Sequence, residues 1–329
     1  MDTRVIRIDP LNIDYSLLAE AAEIIKRGGL VAFPTETVYG LGADSFNDNA
    51  VKNIFKAKGR PSDNPLISHI ADESELSLFA REIPETAYKL IKNFWGGPLT
   101  IILKKKKGIP DSVTAGLDTV AVRMPSHSVA NALIKLSGTP IAAPSANLSG
   151  SPSPTTSKHC IDDLYGRVDM IIDGGDSMIG IESTVLDLSG EIPTILRPGE
   201  ITPDDLKAVI GDVYYGGESS DAPKSPGMKY KHYSPKAEVY IFNDITNVQN
   251  NIEENACVIA KNAATLEVGN CKTFDAGEND HDYAARLFYL LRTADELGFT
   301  KVLAQMPEEK GIGIALINRL MKSAGGRVI

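Results

Sequence analysis

The feature that most constrains this chain is a repeated exchange between short apolar runs and helical spacing. Leu30 to Phe33, Leu66 to Ile70, Leu99 to Leu103 and Thr119 to Arg123 read as strands, as do Pro140 to Ala143, Met170 to Asp173, Ser183 to Leu188 and Thr194 to Arg197. Helical patterns lie among them at Asp14 to Lys26, Asn49 to Lys58, Glu85 to Phe94 and Val129 to Leu136. Gly28-Gly29 stops the first helix, and Thr202 with Pro203 opens the one that closes the series. Strands this apolar need helices packed on them to hide both faces. The pattern therefore predicts an α/β domain over residues 1–210 with a twisted sheet of seven or more strands.

Residues 211–236, GDVYYGGESSDAPKSPGMKYKHYSPK, break the rhythm with glycine, proline and serine, and are predicted to be a linker. Its four tyrosines and one histidine are unusual in a passive spacer. Beyond it, strand-like Ala237 to Phe242 and Ala256 to Ala260 precede a helix over Asp282 to Leu297, a strand at Lys301 to Gln305 and a helix over Ile314 to Ser323. Residues 237–329 are thus predicted to form a smaller Rossmann-like α/β domain of three to five strands.

Composition excludes several classes. Of the 329 residues 43% are hydrophobic and 23% charged, and no run approaches the ~18 apolar residues of a membrane span. The opening MDTRVIRIDP has no apolar core, so no secretory signal is expected. Cys160, Cys257 and Cys271 are far apart and odd in number, which points to reduced thiols and a cytoplasmic protein. The net charge of −9 argues against a protein that wraps nucleic acid, leaving at most an indirect or weak tRNA contact. The one basic run, Lys104 to Lys107, reads as a solvated strand end.

No P-loop, zinc-protease, nucleophile-elbow or paired C-x-x-C signature is present, and Gly311-Ile312-Gly313 reads as a helix-opening turn. Basic and small polar residues instead recur at strand ends. They are Lys58-Gly59-Arg60-Pro61 with Asn64, His69, Thr119 and Arg123, Ser145-Ala146-Asn147, Ser183-Thr184, and Arg197-Pro198-Gly199. In a parallel-type sheet alternate strand ends converge on one rim, where several cations repel one another unless an anion sits among them. Arginine forks and lysine charges suit a polyphosphate site without a P-loop. FPTETVYGLG, residues 33–42, adds two threonines, a glutamate and a tyrosine where a strand should end. Residues alone leave two readings open there: a self-satisfied polar turn, or part of a ligand site.

FPTETVYGLG, FKAKGRPSDNPLISHI, GPLTIIL, VAVRMPSH, PIAAPSANLSGSPSPT, IESTVLDL and ILRPGEI resemble, in order, the motifs of the YrdC-like family. Lys58 and Arg60 with Ser145 and Asn147 are similar to its lysine-x-arginine and serine-x-asparagine signature. The resemblance covers roughly residues 14–210, and SPGMKYKHYSP with GIGIALINRL extends it to the long, two-domain form. Gly96 stands where that family's pattern has proline.

The resemblance implies formation of threonylcarbamoyl-adenylate and pyrophosphate from L-threonine, bicarbonate or CO2, and ATP with Mg2+. The product would pass to a tRNA threonylcarbamoyl-transferase complex for the t6A modification. By the same resemblance Thr35, His69, Arg123 and Ser183 form the threonine pocket, with Arg123 facing the substrate carboxylate. Lys58, Arg60, Asn64, Thr119, Ser145, Asn147, Ser153 and Arg197 form the ATP group, with Ala143 contributing through its backbone. The linker's Tyr230, His232 and Tyr233 are expected to form a lid, because an activated adenylate needs water kept out. Two rivals remain: a carbamoyl-adenylate-forming enzyme, and an RNA-binding or ribosome-maturation protein.

Overall fold

In the computed structural model, the residues described are 2–216, 232–266, 268, 269 and 271–329. The first unit runs β1 (Arg4–Arg7), α1 (Tyr15–Lys26), β2 (Val31–Phe33), β3 (Gly40–Asp44), α2 (Asp48–Lys58), β4 (Ile67–His69), α3 (Leu76–Phe79), α4 (Glu85–Phe94) and β5 (Leu99–Lys104). It continues through α5 (Asp111–Thr114), β6 (Thr119–Arg123), α6 (Ser128–Ser137), β7 (Ile141–Ala142), α7 (Ser157–Leu164), β8 (Met170–Asp173), β9 (Thr184–Asp187), β10 (Thr194–Arg197), α8 (Pro203–Ile210) and β11 (Tyr214–Tyr215). Local chemistry sets many of these bounds. Asp14 caps α1 by accepting from the Ser16 and Leu17 amides, and Gly59 ends α2 in the left-handed conformation. Thr202 and Asp205 close a capping box on α8, with Pro203 at its first position.

The strands form one eleven-stranded mixed sheet in the order β1-β8-β2-β3-β7-β4-β6-β5-β9-β10-β11. Apolar side chains bury both faces, with Leu41, Ile54 and Leu103 in one cluster and Phe33, Leu133 and Ile172 in the other. The sequence reading missed three strands of this sheet, β1, β3 and β11. β1 has one buried residue and pairs parallel with β8 at the sheet edge. β3, read as a ligand turn, is a central strand whose Gly42 permits close packing: a Cβ there would lie 2.6 Å from Ile141 and 2.8 Å from the Phe33 ring. The predicted linker also needs correction. Its Tyr214–Tyr215 pair with β10 as strand β11, so residues 214–215 belong to the sheet.

The second unit contains β12 (Glu238–Phe242), α9 (Ile245–Asn251), β13 (Ala256–Ala260), β14 (Lys272–Asp275), α10 (Asp280–Glu296), β15 (Lys301–Gln305) and α11 (Gly313–Ala324). Its four strands are all parallel, in the order β12-β15-β13-β14, as the Rossmann-like expectation requires. Val38 and Ile181 of the first unit share a buried cluster with Leu287 and Phe288 of α10, so the second unit packs on the loops 34–39 and 176–183. Among the described residues no helix is long and apolar enough to cross a membrane.

Candidate active site

A cavity with about 570 Å³ of empty space, counting its mouth, lies over the middle of the large sheet. It does not lie along one rim, as strand-end reasoning predicted. His69, Arg123 and Thr100 stand level at one end of β4, β6 and β5, beside the start of β9 where Ser183 sits. Gly40 and Ser145 meet by a bridge at the opposite ends of β3 and β7. β4 and β7 have only three and two residues, so the two ends stand close together. Ile67 and His69, two apart on one strand, carry the floor between them.

The loop 34–39 borders this floor, and its polar residues both satisfy one another and line the cavity. Thr35 Oγ1 donates to Val38 O at 2.6 Å and lies 2.9 Å from Thr37 Oγ1. With the Thr35 proton on Val38 O, the Thr37 hydroxyl donates to Thr35, while Thr37 Oγ1 accepts from Arg123 Nη1 at 2.9 Å. Thr35 and Thr37 nonetheless line the cavity. Arg123 is held on three sides, since its Nε donates to Gly97 O at 3.3 Å and its Nη2 stands 2.7 Å from Glu36 Oε1.

Three arginines line the cavity, Arg123 and Arg197 buried and Arg60 half-buried. Arg197 donates through Nε to Ser183 O at 3.0 Å and through Nη2 to Ser183 Oγ at 3.1 Å, and Ser183 Oγ in turn lies 2.8 Å from Thr100 Oγ1. Gly199 lets the RPG turn close on that strand, because a Cβ there would lie 2.4 Å from the Thr184 nitrogen. Among the described residues Arg60 makes only long contacts, 3.5 Å, to Asn64 O and Pro65 O, and its buried Nε has no partner there. Burial pushes the guanidinium groups of Arg60 and Arg197 down to about 10, a sign of cations crowded out of water. Burial, reinforced by Arg123, also lowers His69 to about 3, so its imidazole is neutral. Its Nδ1 lies 3.3 Å from Ile141 O, which makes Nδ1 the donor and leaves Nε2 an acceptor.

The structure thus brings Thr35, Arg60, His69, Arg123, Ala143, Ser145, Ser183, Arg197, His232 and Tyr233 to one cavity. Four other expected residues stand behind it. Lys58 is buried and directs its ammonium at Ser145 O, Asn147 O and Asn147 Oδ1, so it pins the loop rather than facing the cavity. Asn147 accepts from Ser145 Oγ and donates to Leu148 O and Ser151 O. Ser153 donates to Glu182, and among the described residues neither amide atom of buried Asn64 finds a partner. Thr119 opens β6 at the end remote from Arg123 and does not line the cavity. Tyr230 lies outside the described residues.

Sequence reasoning missed Glu182, the one carboxylate lining the cavity among the described residues, and its partner Arg319. Burial raises the Glu182 carboxyl, but Arg319 and then Arg197 pull it back, with a net fall below the ordinary glutamate value. Among the described residues no group of three or more His, Cys, Asp or Glu is arranged to hold a metal. The basic run is a solvated strand end, with Lys104 near Glu82 and Lys105 on Asp111.

A mixed α/β sheet carrying a buried, arginine-lined cavity, with a second parallel α/β unit packed over it, defines a two-domain anion-binding protein. Residues 23–199 match the Sua5–YciO–YrdC family model, described as "Telomere recombination". Residues 201–325 match the model described as "Threonylcarbamoyl-AMP synthase, C-terminal domain". The chain belongs to the Sua5–YciO–YrdC family, in the form that carries this second domain. It is 49% identical over 320 residues to the threonylcarbamoyl-AMP synthase of Pyrococcus abyssi, covering 94% of each chain. To that of Bacillus subtilis it is 46% identical over 334 residues, covering 98% of this chain and 96% of the relative. The crystal structure of P. abyssi Sua5 complexed with L-threonine superposes with a TM-score of 0.94 at 46% identity, covering 99% of both chains.

Proposed function

We propose that this cavity joins L-threonine, CO2 or bicarbonate, and ATP into L-threonylcarbamoyl-adenylate, releasing pyrophosphate. The observation that carries the reading is the convergence of Arg60, Arg123 and Arg197 on one cavity whose only lining carboxylate, among the described residues, is already paired. The threonine amine adds to CO2, losing a proton, and the resulting N-carboxylate attacks the α-phosphorus as the bond to pyrophosphate breaks. Two anions must meet in that step. Fixed guanidinium groups lower its barrier by holding both and neutralising the charge that develops. No side-chain nucleophile is required.

In this reading Arg123, immobilised by Glu36, Thr37 and Gly97, offers its remaining N–H groups to the threonine carboxylate. Neutral His69 accepts from the threonine hydroxyl or amine, and Thr35 and Ser183 shape the pocket around it. Arg60, Ser145, Arg197 and the Ala143 backbone take the nucleotide. Lys58, Asn147 and Ser153 hold the loop that presents Ser145. Asn64, whose amide atoms find no partner among the described residues, stands beside the Arg60 turn without lining the cavity, and Thr119 has no role in this geometry. Mg2+ arrives with ATP, held by phosphate oxygens and water, because the cavity wall is cationic and Glu182 is engaged elsewhere.

His232 and Tyr233 close one side of the cavity and serve as the rim of a lid. Burial and then Arg60 lower the His232 imidazole to about 4, so it adds no charge there. Tyr233, in the left-handed conformation at φ 63°, stacks on Phe288 with ring centroids 5.2 Å apart. The same residue therefore faces the ligand and anchors the second domain. The adenylate would then serve a tRNA threonylcarbamoyl-transferase complex. Incubation with threonine, bicarbonate and ATP-Mg2+, followed by mass spectrometry, should give the adenylate only when all three are present. Pyrophosphate release without a threonine requirement would overturn the reading.

A further inference from the structure

Arg319 belongs to α11 of the second domain, yet its guanidinium lies completely buried against the first. Its Nε donates to Glu182 Oε2 at 2.7 Å, and its Nη2 reaches Glu182 O at 3.4 Å and Pro198 O at 3.1 Å. Its Nη1 donates to Asn318 Oδ1 at 2.8 Å, and its central carbon sits 5.5 Å over the Tyr233 ring. Glu182 faces the cavity and accepts the Ser153 hydroxyl. A second arginine of the same domain works in parallel. Arg292 of α10 donates to Pro152 O and pairs with Asp163, which itself accepts the Leu148 amide at 3.1 Å. The segment 147–153, next to Ser145, is thereby held by the second domain directly at Pro152 and, through Asp163, indirectly at Leu148.

Two consequences follow from charge alone. A carboxylate in a cavity meant for anions repels them unless a cation lies against it, and a buried carboxylate deprived of its partner is costly. Fork geometry also matters, because the guanidinium reaches Glu182 Oε2 through Nε and Glu182 O and Pro198 O through Nη2, a planar spread over two nitrogens that the one nitrogen of a lysine does not reproduce.

Resting on the proposed synthase reading, we infer that Arg319 is a positioning residue supplied by the second domain. It neutralises Glu182 and fixes its carboxylate on Ser153, so that the nucleotide side of the cavity is complete only when the two domains are docked. This gives the second domain a part in ATP binding rather than in folding alone.

The test is steady-state pyrophosphate release by the full chain, with KM measured separately for ATP and threonine and thermal unfolding recorded for each variant. R319Q should raise the ATP KM at least tenfold, R319K at least threefold, and the double variant R319Q/E182Q should lower the R319Q value at least fivefold by removing the unpaired charge. If Arg319 merely joins the domains, the midpoint of unfolding falls while the ATP KM of every folded variant stays within twofold of wild type. That result overturns the inference, as does a double variant with a higher ATP KM than R319Q. Should R319Q fail to fold, R319K decides by the same threefold and twofold limits. Failure of the underlying reading is distinct: the wild-type protein itself would then release no threonine-dependent pyrophosphate.

Discussion

Glu36 and Arg123 form a buried ion pair, with Arg123 Nη2 2.7 Å from Glu36 Oε1 and side chains 2% and 4% exposed. Glu36 does not line the cavity, whereas Arg123 does. The carboxylate therefore acts from behind, fixing the plane of a guanidinium already tied to Thr37 and Gly97. Burial pushes the Glu36 carboxyl upward, and Arg123 more than offsets this, leaving it below the ordinary value of 4.5.

Glu36→Gln should lower stability by about 3–5 kcal/mol, the usual cost of stripping one partner from a buried pair. It should also raise the threonine KM about tenfold while changing the ATP KM little. Because the folded-state pKa is depressed, this stabilisation is present above pH 4.5 and disappears as pH falls through the lower folded value. Denaturant titration of both forms from pH 7 to pH 3 checks the sign: the difference between them should shrink on acidification.

A separate acid effect belongs to the histidines. His69, His159 and His232 are held neutral, at about 3, 4 and 4 against an ordinary 6.5, chiefly by burial. Below pH 6.5 the unfolded chain takes up protons that the folded chain refuses. Stability should thus be whole above pH 6.5 and fall as pH drops toward 4, by up to about 1.4 kcal/mol per pH unit for each histidine. Urea unfolding at pH 7.5, 6 and 5 measures this, and a flat profile over that span would contradict it.

Lys58 and Arg60 should part company on substitution, although two positions separate them. Arg60→Ala removes a cavity cation with no strong partner among the described residues, so turnover or ATP affinity should fall ten- to a hundredfold, about 1.5–3 kcal/mol, with little change in unfolding. Lys58→Ala strands the Ser145 and Asn147 carbonyls, at about 1–3 kcal/mol each. It should lower the unfolding midpoint as well as activity. Equal midpoints for the two variants would place Lys58 on the ligand instead.

Tyr233→Ala should cost about 3–5 kcal/mol, since it deletes a buried ring stacked on Phe288 and beneath Arg319. Tyr233→Phe keeps the ring and should stay within about 1 kcal/mol of wild type. Thermal unfolding separates these, and comparison of their adenylate yields shows whether the rim needs the ring or the hydroxyl.

Substrate choice should follow the polar lining. A pocket that hydrogen-bonds the threonine hydroxyl rejects valine far more strongly than serine, whose missing methyl costs only about 1–3 kcal/mol. Competition assays with the three amino acids decide this, and equal competition by valine and serine would remove the hydroxyl from the recognition scheme.

Local patterning by itself determined most helices and several strands. Glu85–Phe94 and Pro203–Ile210 appear with the bounds their proline and capping residues imply, and Met170–Asp173 and Thr194–Arg197 with those their apolar runs imply. Ordered motifs also marked Arg60, His69, Arg123, Ser183 and Arg197 before any fold was in view. Other features depended on tertiary contact. Gly40-Leu41-Gly42 closes the stretch 33–42 that reads as a polar turn or a ligand site, and only the crowding of Phe33 and Ile141 on Gly42 shows why a strand there needs a glycine. The direction of the Lys58 ammonium, inward to a loop 87 and 89 residues away, leaves no mark on α2 itself. Glu182 and Arg319 lie 137 residues apart in different domains; each stands inside a family motif, IESTVLDL and GIGIALINRL, but neither motif says that the two side chains meet. Side-chain periodicity records which face of an element is buried. It carries nothing about which distant partner that face will meet, and the charges that complete this cavity are set by those meetings.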